Sequence, residues 1–186
     1  MNTEPFNLAT ILTFTGKMFH LLSPSDDEIC IEDIAHHLSM LCRFTGACRK
    51  FYSVAEHSVK ASLIVPAEFA MEALFHDGSE SYLNDMNRPL KHYTEAGQQY
   101  MILESVIQKT INTKFGVPLE MSPAVKDADN AMLYAEKAAI MPLSSWVTKW
   151  SPTEEAADIE ISCWEPAVAE QKFLERFYQL NAIRNT

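Results

Sequence analysis

Apolar positions recur with helical spacing over most of the chain. In "CIEDIAHHLSMLCRF" they fall at Ile31, Ile34, Leu38 and Leu41, three or four residues apart, which is one stripe of a helix. "SVAEHSVKASLIV" opens with Ser53 and Glu56, the S-x-x-E arrangement of a capping box, so a helix is expected there until Pro66 breaks the chain. "AEFAMEALFHD" presents Phe69, Leu74 and Phe75 as a largely buried helix. The next stretch, "ESYLNDMNRPLKHY", lacks a strong period, contains Asn, Asp and Arg-Pro, and reads as a loop. "TEAGQQYMILESVIQKTINTKFG" is a long helix ending near Gly116, and "SPAVKDADNAMLYAEKAAIM" is another. "SSWVTKWSPTEEAADIEIS" is irregular and acidic. A final amphipathic helix within 165–184, in "EPAVAEQKFLERFYQLNAI", is expected to pack on the body or to make an oligomer contact. Near the start, "LTFTGKMFHLLSP" fits either a short strand pair or a segment packed across a bundle.

The pattern predicts an all-α, compact helical bundle. With 186 residues, one domain spanning 1–186 is expected, and the chain is long enough to bury a real core. Apolar residues make up 47%, which speaks against wholesale disorder. There are no repeats, low-complexity tracts or convincing internal linkers. The formal net charge of -10 leaves no basic excess to neutralise phosphates along a duplex, so nucleic acid is not expected as a partner. A small phosphorylated substrate stays open, because a local pocket can be basic on an acidic body. Cys30, Cys42, Cys48 and Cys163 show no C-x-x-C spacing and read as reduced, mostly buried thiols. The opening "MNTEPFNLATILTF" has no basic n-region and no apolar run is long enough for a bilayer, so a soluble, cytoplasmic protein is expected and no membrane partner.

The candidate chemistry lies in His57, the doublet His76-Asp77 and a later aspartate in "VKDADNAM". Imidazole and carboxylate ligands in this mix suit a divalent transition metal with positions left for water and substrate. Adjacent helical residues point about 100° apart, so a His-Asp doublet grips one ion best at a helix end. Gly78 follows the doublet directly. Glu80 lies about one turn beyond His76 and could orient or deprotonate an attacking water. His36 and His37 are neighbours on one helix and read as structural. His20 and His92 receive no role, and Tyr134 and Glu136 read equally well as cavity lining or helix surface.

These residues, in this order, resemble the HD-domain phosphohydrolase superfamily. "AEHS" around His57, "HDGSE" at 76–80 and "RPLK" at 88–91 are similar to its bacterial, YfbR-like 5'-deoxynucleotidase branch. "FTGKMFHLLSP", "IEDIAHHLSMLCRF" and "FYSVAEHS" look closer still to the phage dATP triphosphohydrolases. The likeness covers roughly residues 10–140, with the core motifs at about 30–140. It implies an HD-domain bundle in which His57, His76, Asp77 and Asp129 hold the metal. Asp129 is favoured over Asp127 because the family's K-x-x-D falls on Lys126 and Asp129. Glu80 and Asp85 would be the catalytic carboxylates, the second near the deoxyribose or the leaving oxygen. Arg43 and Lys91 would bind phosphate, and Phe44 would shape the sugar and base pocket. Each has an ordinary alternative: a helix-end cation for Arg43, core for Phe44, surface for Lys91, a loop cap for Asp85. The phage relatives often carry Gly-His after "RF"; here the run is "RFTGAC". The implied metal is zinc, cobalt, manganese or iron, with magnesium assisting at the phosphates. The implied reaction is dATP to deoxyadenosine and triphosphate, with dADP and dAMP also taken. Alternatives are a 5'-deoxynucleotidase restricted to monophosphates and a nucleotide-binding module without turnover. A homo-oligomer, dimer or hexamer, is expected, with the final helix and Trp146, Trp150 and Trp164 available for packing or contact.

Overall fold

The computed structural model describes residues 9–144 and 156–184, and over these the chain is a helical bundle with one small hairpin. Strands β1 (Thr10–Leu12) and β2 (Met18–His20) pair antiparallel, with Ile11 opposite Phe19. The strand pair is therefore the form taken by the opening segment. Phe19 is fully buried and stacks on Tyr82 at 3.9 Å between ring centroids. The hairpin turn is fastened from below. Buried Asp33 accepts from the Thr15 amide at 2.7 Å and its hydroxyl at 2.9 Å, and the Phe14 amide donates to His37 Nε2 at 3.1 Å.

Helix α1 (Ile31–Met40) buries Ile31, Ile34 and Leu38, as the spacing predicts, and carries Glu32 and Asp33 in its first turn, where the helix dipole favours them. In α2 (Val54–Ile64) the Ser53 hydroxyl accepts from the Glu56 amide at 3.0 Å. Only this half of the expected capping box forms. The Glu56 carboxylate reaches instead to the amides of Ser162, Cys163 and Trp164, at 2.9, 3.1 and 2.6 Å. The buried apolar helix containing Leu74 is α3 (Ala70–Phe75). The long helices α6 (Glu95–Phe115) and α7 (Pro123–Ile140) match their predicted spans. Thr94 caps α6 by accepting from the Gly97 amide, and Gly116 ends it at φ 62°, a left-handed conformation that glycine adopts without a Cβ penalty. The final helix is α8 (Pro166–Arg184).

The stretch read as a loop at 80–93 is a correction. It folds as two short helices, α4 (Glu80–Leu83) and α5 (Arg88–Tyr93), on either side of an irregular 84–87. Helices of four and six residues are too short to show a period and too short to be stable alone. Local caps and tertiary packing hold them: the Asn87 side chain accepts from the Leu90 amide at 3.1 Å, and Tyr100 donates to the Asn84 carbonyl.

The core lies where α1 packs along α8, and where α2 packs on α3, α7 and α8. Phe75 stacks on Phe115 at 4.6 Å and meets Phe173 and Phe177 edge-on at 6.1 and 5.8 Å. The final helix is thus part of the body. His36 joins it by a 2.9 Å contact to Glu170, and His37 contacts the Ser81 carbonyl at 2.7 Å. Trp164 packs against the core beneath Lys60 and Lys172. Trp146, Trp150 and the rest of 145–155 lie outside the described residues. The four cysteines are free, but all are half-buried rather than mostly buried, because they sit at element ends and in connecting segments. No described helix is long and apolar enough to cross a membrane.

Candidate metal centre

Helix α2 supplies His57, the turn between α3 and α4 supplies His76 and Asp77, and α7 supplies Asp129 and Glu136. The doublet therefore does sit just past a helix end. Gly78 allows the turn to close tightly: a Cβ there would meet the Phe75 carbonyl at 3.0 Å and Ile111 at 3.4 Å. Phe75, immediately before the doublet, is locked in the aromatic core.

Each imidazole has its Nδ1 committed. His57 Nδ1 donates to Glu136 Oε1 at 2.5 Å, and His76 Nδ1 donates to the Ala73 carbonyl at 2.8 Å. Both rings then aim Nε2 at one point, 3.1 Å apart. Asp77 Oδ2 lies 3.2 Å from His76 Nε2 and 3.6 Å from His57 Nε2. Asp129 Oδ1 lies 3.8 and 3.4 Å from the same two atoms. With Nδ1–H spent, a neutral imidazole offers only a lone pair at Nε2, and a carboxylate offers only lone pairs. Such a set needs a proton on Nε2 or a cation at its centre. Ligand atoms about 2.0–2.2 Å from a shared ion stand about 3–3.5 Å from one another, which matches this spacing. His57, His76 and Asp129 could hold a divalent metal, and Asp77 is placed to join them. Asp127 is exposed and takes no part, so the choice between the two aspartates falls on Asp129.

The electrostatics fit the same picture. Burial alone would lower the His76 pKa, but Asp77 and Asp129 raise it well above the ordinary imidazole value. His57 is raised as well, with burial and Arg43 opposing and Glu136 and Asp129 prevailing. Asp77 and Asp129 are held far below the carboxylate range against their burial, by the two imidazoles. Glu136 is fully buried, and Arg43 and His57 keep it ionised. It fixes the His57 ring through Nδ1, the arrangement in which a carboxylate stands behind a histidine that offers Nε2 to a metal. Sequence reasoning left Glu136 undecided. The available signal was its position seven residues after Asp129, two turns along α7 and on the same face.

Around the centre stand the other candidates. Arg43 donates through Nε to Glu136 Oε2 at 3.1 Å, with NH2 at 3.0 Å, and NH1 reaches Asp77 Oδ2 at 3.5 Å. It bridges the Asp77 carboxylate and the Glu136 carboxylate behind His57, rather than acting as a helix-end cation. Phe44 is not core: it is half-buried, with the Arg43 guanidinium 5.4 Å from its ring. Phe44, Thr45 and Gly46 all have positive φ, at 56°, 54° and 75°. Left-handed backbone costs a side-chain-bearing residue about 1–2 kcal/mol, so this turn is strained where it presents Arg43 and Phe44. Glu80 is only 8% exposed, and its Oε2 is without a hydrogen-bond partner. Burial, with Asp77 and Asp85 nearby, raises its pKa well above normal. Burial also raises Asp85, with Arg43 opposing. Lys91 has its ammonium held by Glu104 at 2.7 and 2.6 Å, beside the Tyr100 ring. Its charge is felt at Asp85, but its first partner is Glu104, a residue with no motif to announce it.

Comparison with known proteins finds relatives along nearly the whole chain. YfdR of Escherichia coli K12, described as uncharacterized, is 39% identical over 180 residues, 95% of this chain and 98% of that protein. An uncharacterized protein of Rhodobacter capsulatus is 32% identical over 140 residues, 67% of this chain and 70% of its own. No protein-family model matches the chain.

Proposed function

The chain belongs to the same family as YfdR, and from the chemistry of its centre we propose that it is a metal-dependent HD-domain phosphohydrolase acting on 2'-deoxynucleoside 5'-phosphates. The observation that carries this reading is the set of lone pairs from His57, His76 and Asp129 converging on one point, with Asp77 at 3.2 Å from His76 Nε2 and an arginine and an unpartnered buried carboxylate beside it. A divalent ion held there, zinc, cobalt, manganese or iron, supplies Lewis acidity and positive charge toward a phosphoryl oxygen. The chain's own groups do the rest. Arg43 still has N–H groups to offer a phosphate while Glu136 and Asp77 fix its plane. Glu80, buried beside Asp77 and Asp85 and raised in pKa by burial and by both, is the carboxylate assigned to take a proton from the attacking water. Asp85, a carboxylate close enough to Glu80 and Arg43 to be felt by them, is assigned to the leaving oxygen or the deoxyribose. Phe44, at the edge of Arg43, would discriminate against a 2'-hydroxyl by shape. The narrower reading is dATP cleaved to deoxyadenosine and triphosphate.

One observation favours a second reading, a 5'-deoxynucleotidase restricted to monophosphates. Glu104 already neutralises Lys91, which leaves less positive charge for a triphosphate. In the triphosphate reading magnesium would have to offset that charge, and a homo-oligomer could contribute further groups. Product analysis decides. Metal-reconstituted protein is incubated with dATP, dAMP, dGTP and ATP, and the products are separated by ion exchange. Deoxyadenosine with intact triphosphate from dATP supports the first reading. Phosphate released from dAMP alone moves the protein to the second. No turnover of any of the four, with metal bound, overturns both and leaves a binding module.

A further inference from the structure

The turn that carries Arg43 and Phe44 is bracketed by two thiols. Cys42 Sγ and Cys48 Sγ lie 3.7 Å apart, and the Cys48 thiol donates to the Arg43 carbonyl at 3.3 Å. The chain on either side is anchored. Cys42 forms a β-bridge with Ser53, and the Arg43 amide donates to the Tyr52 carbonyl at 2.9 Å. Beyond Cys48, the Arg49 amide and guanidinium both reach the end of α7, at the Ile140 and Ala139 carbonyls, each 2.8 Å. A strained turn strung between two fixed points thus holds its sulfurs nearly in contact. A disulfide bond needs them at about 2.05 Å. Closing that gap means bringing the two sulfurs about 1.7 Å closer.

We propose that Cys42 and Cys48 form a reversible disulfide on exposure to a hydroperoxide, and that the bond locks the turn bearing Arg43 and Phe44. The Cys42 sulfur attacks the peroxide, the O–O bond breaks, and a sulfenic acid and one water (or alcohol) result. The Cys48 sulfur then attacks the sulfenic sulfur, the S–O bond breaks, and a second water leaves. Two thiols lose two electrons and two protons; the peroxide gains them. Burial and the neighbouring Cys42 push the Cys48 thiol up to about 11, which suits it to the second, resolving step rather than the first. A dithiol reverses the bond by exchange. Oxidation removes the Cys48 hydrogen bond to Arg43 and tightens the ring of residues that orients the guanidinium. The consequence for phosphate binding rests on the phosphohydrolase reading; the disulfide does not.

The full chain is treated with stoichiometric hydrogen peroxide, alkylated, cleaved after Lys and Arg, and analysed by mass spectrometry. Cleavage after Lys17, Arg43 and Arg49 separates the two cysteines into peptides 18–43 and 44–49. A linked pair of these peptides, joined through Cys42 and lost in Cys48→Ser, is the expected result. So is slowed amide exchange over 43–47, reversed by dithiothreitol. Oxidation of Cys42 to sulfinic acid, linkage through Cys30 or Cys163 instead, or unchanged exchange with the bond formed would overturn the proposal. If the reduced protein turns over a deoxynucleotide, the oxidised form should show KM raised about fivefold or more with bound metal unchanged, and Cys48→Ser should be indifferent to peroxide. A linked, slowed turn in a protein that turns over nothing would sink the phosphohydrolase reading and leave the thiol pair standing.

Discussion

Asp129 and Glu136 share a face of α7, but their substitutions should differ. Asp129→Asn removes a charge from the centre itself and should abolish stoichiometric metal by elemental analysis, whereas Asp127→Asn, at an exposed position, should leave it intact. Glu136→Gln keeps the shape and loses the charge that holds the His57 ring, and should weaken metal affinity about 10–100-fold. Glu80→Gln tests a different property. A buried carboxylate oxygen without a partner destabilises the fold, so the amide should raise the unfolding free energy at neutral pH by about 1–3 kcal/mol. The sign follows from linkage: a carboxyl whose folded pKa is raised loses stability as pH climbs through that pKa, and the amide has no such loss. The same substitution should keep the metal and cost about 10²–10⁴ in turnover if Glu80 is the base. A variant that is both less stable and fully active would contradict the placement of Glu80.

At the level of elements, the centre depends on how its carriers are held. Phe75 ends α3 in contact with Phe115, Phe173 and Phe177, and the doublet follows it directly. Phe75→Ala should cost about 3–5 kcal/mol in denaturant unfolding, because the cavity lies among rings from three helices. Some of this organisation was legible. The cap at Ser53, the glycine stop at Gly116 and the stripe on α1 all rest on local chemistry that the sequence displays. The short helices α4 and α5 were not legible, since an element of one turn has no period to read. Nor was the second use of Glu56. A capping-box glutamate and a glutamate that binds three amides from residues 162–164 look identical in one dimension.

For the whole molecule, protons and metal compete for one set of lone pairs. In the metal-free protein His57 and His76 have raised pKa values. Their contribution to stability is full below the ordinary imidazole value of about 6.5 and is lost as pH rises through the raised values. Asp77 and Asp129, held low, contribute fully above the ordinary carboxylate range and lose that contribution progressively as pH falls through it toward their lowered values. Metal binding must expel the imidazole protons, so affinity should rise with pH until both rings are neutral, and calorimetry in buffers of different ionisation heat should record proton release. Metal at about 100 times its dissociation constant should stabilise the fold by about 2.7 kcal/mol, and a chelator should remove that gain; an unchanged Tm would argue against a bound ion. The sequence by itself determined the helical class and the long helices, because spacing and caps are local signals, and its short motifs singled out His57, His76 and Asp129, which the fold brings together. Only the tertiary structure decided that Glu136 stands behind His57, that Glu104 captures Lys91, and that two cysteines six residues apart flank the site's arginine with sulfurs nearly touching. Those are contacts between elements, and no periodicity along the chain encodes which faces will meet.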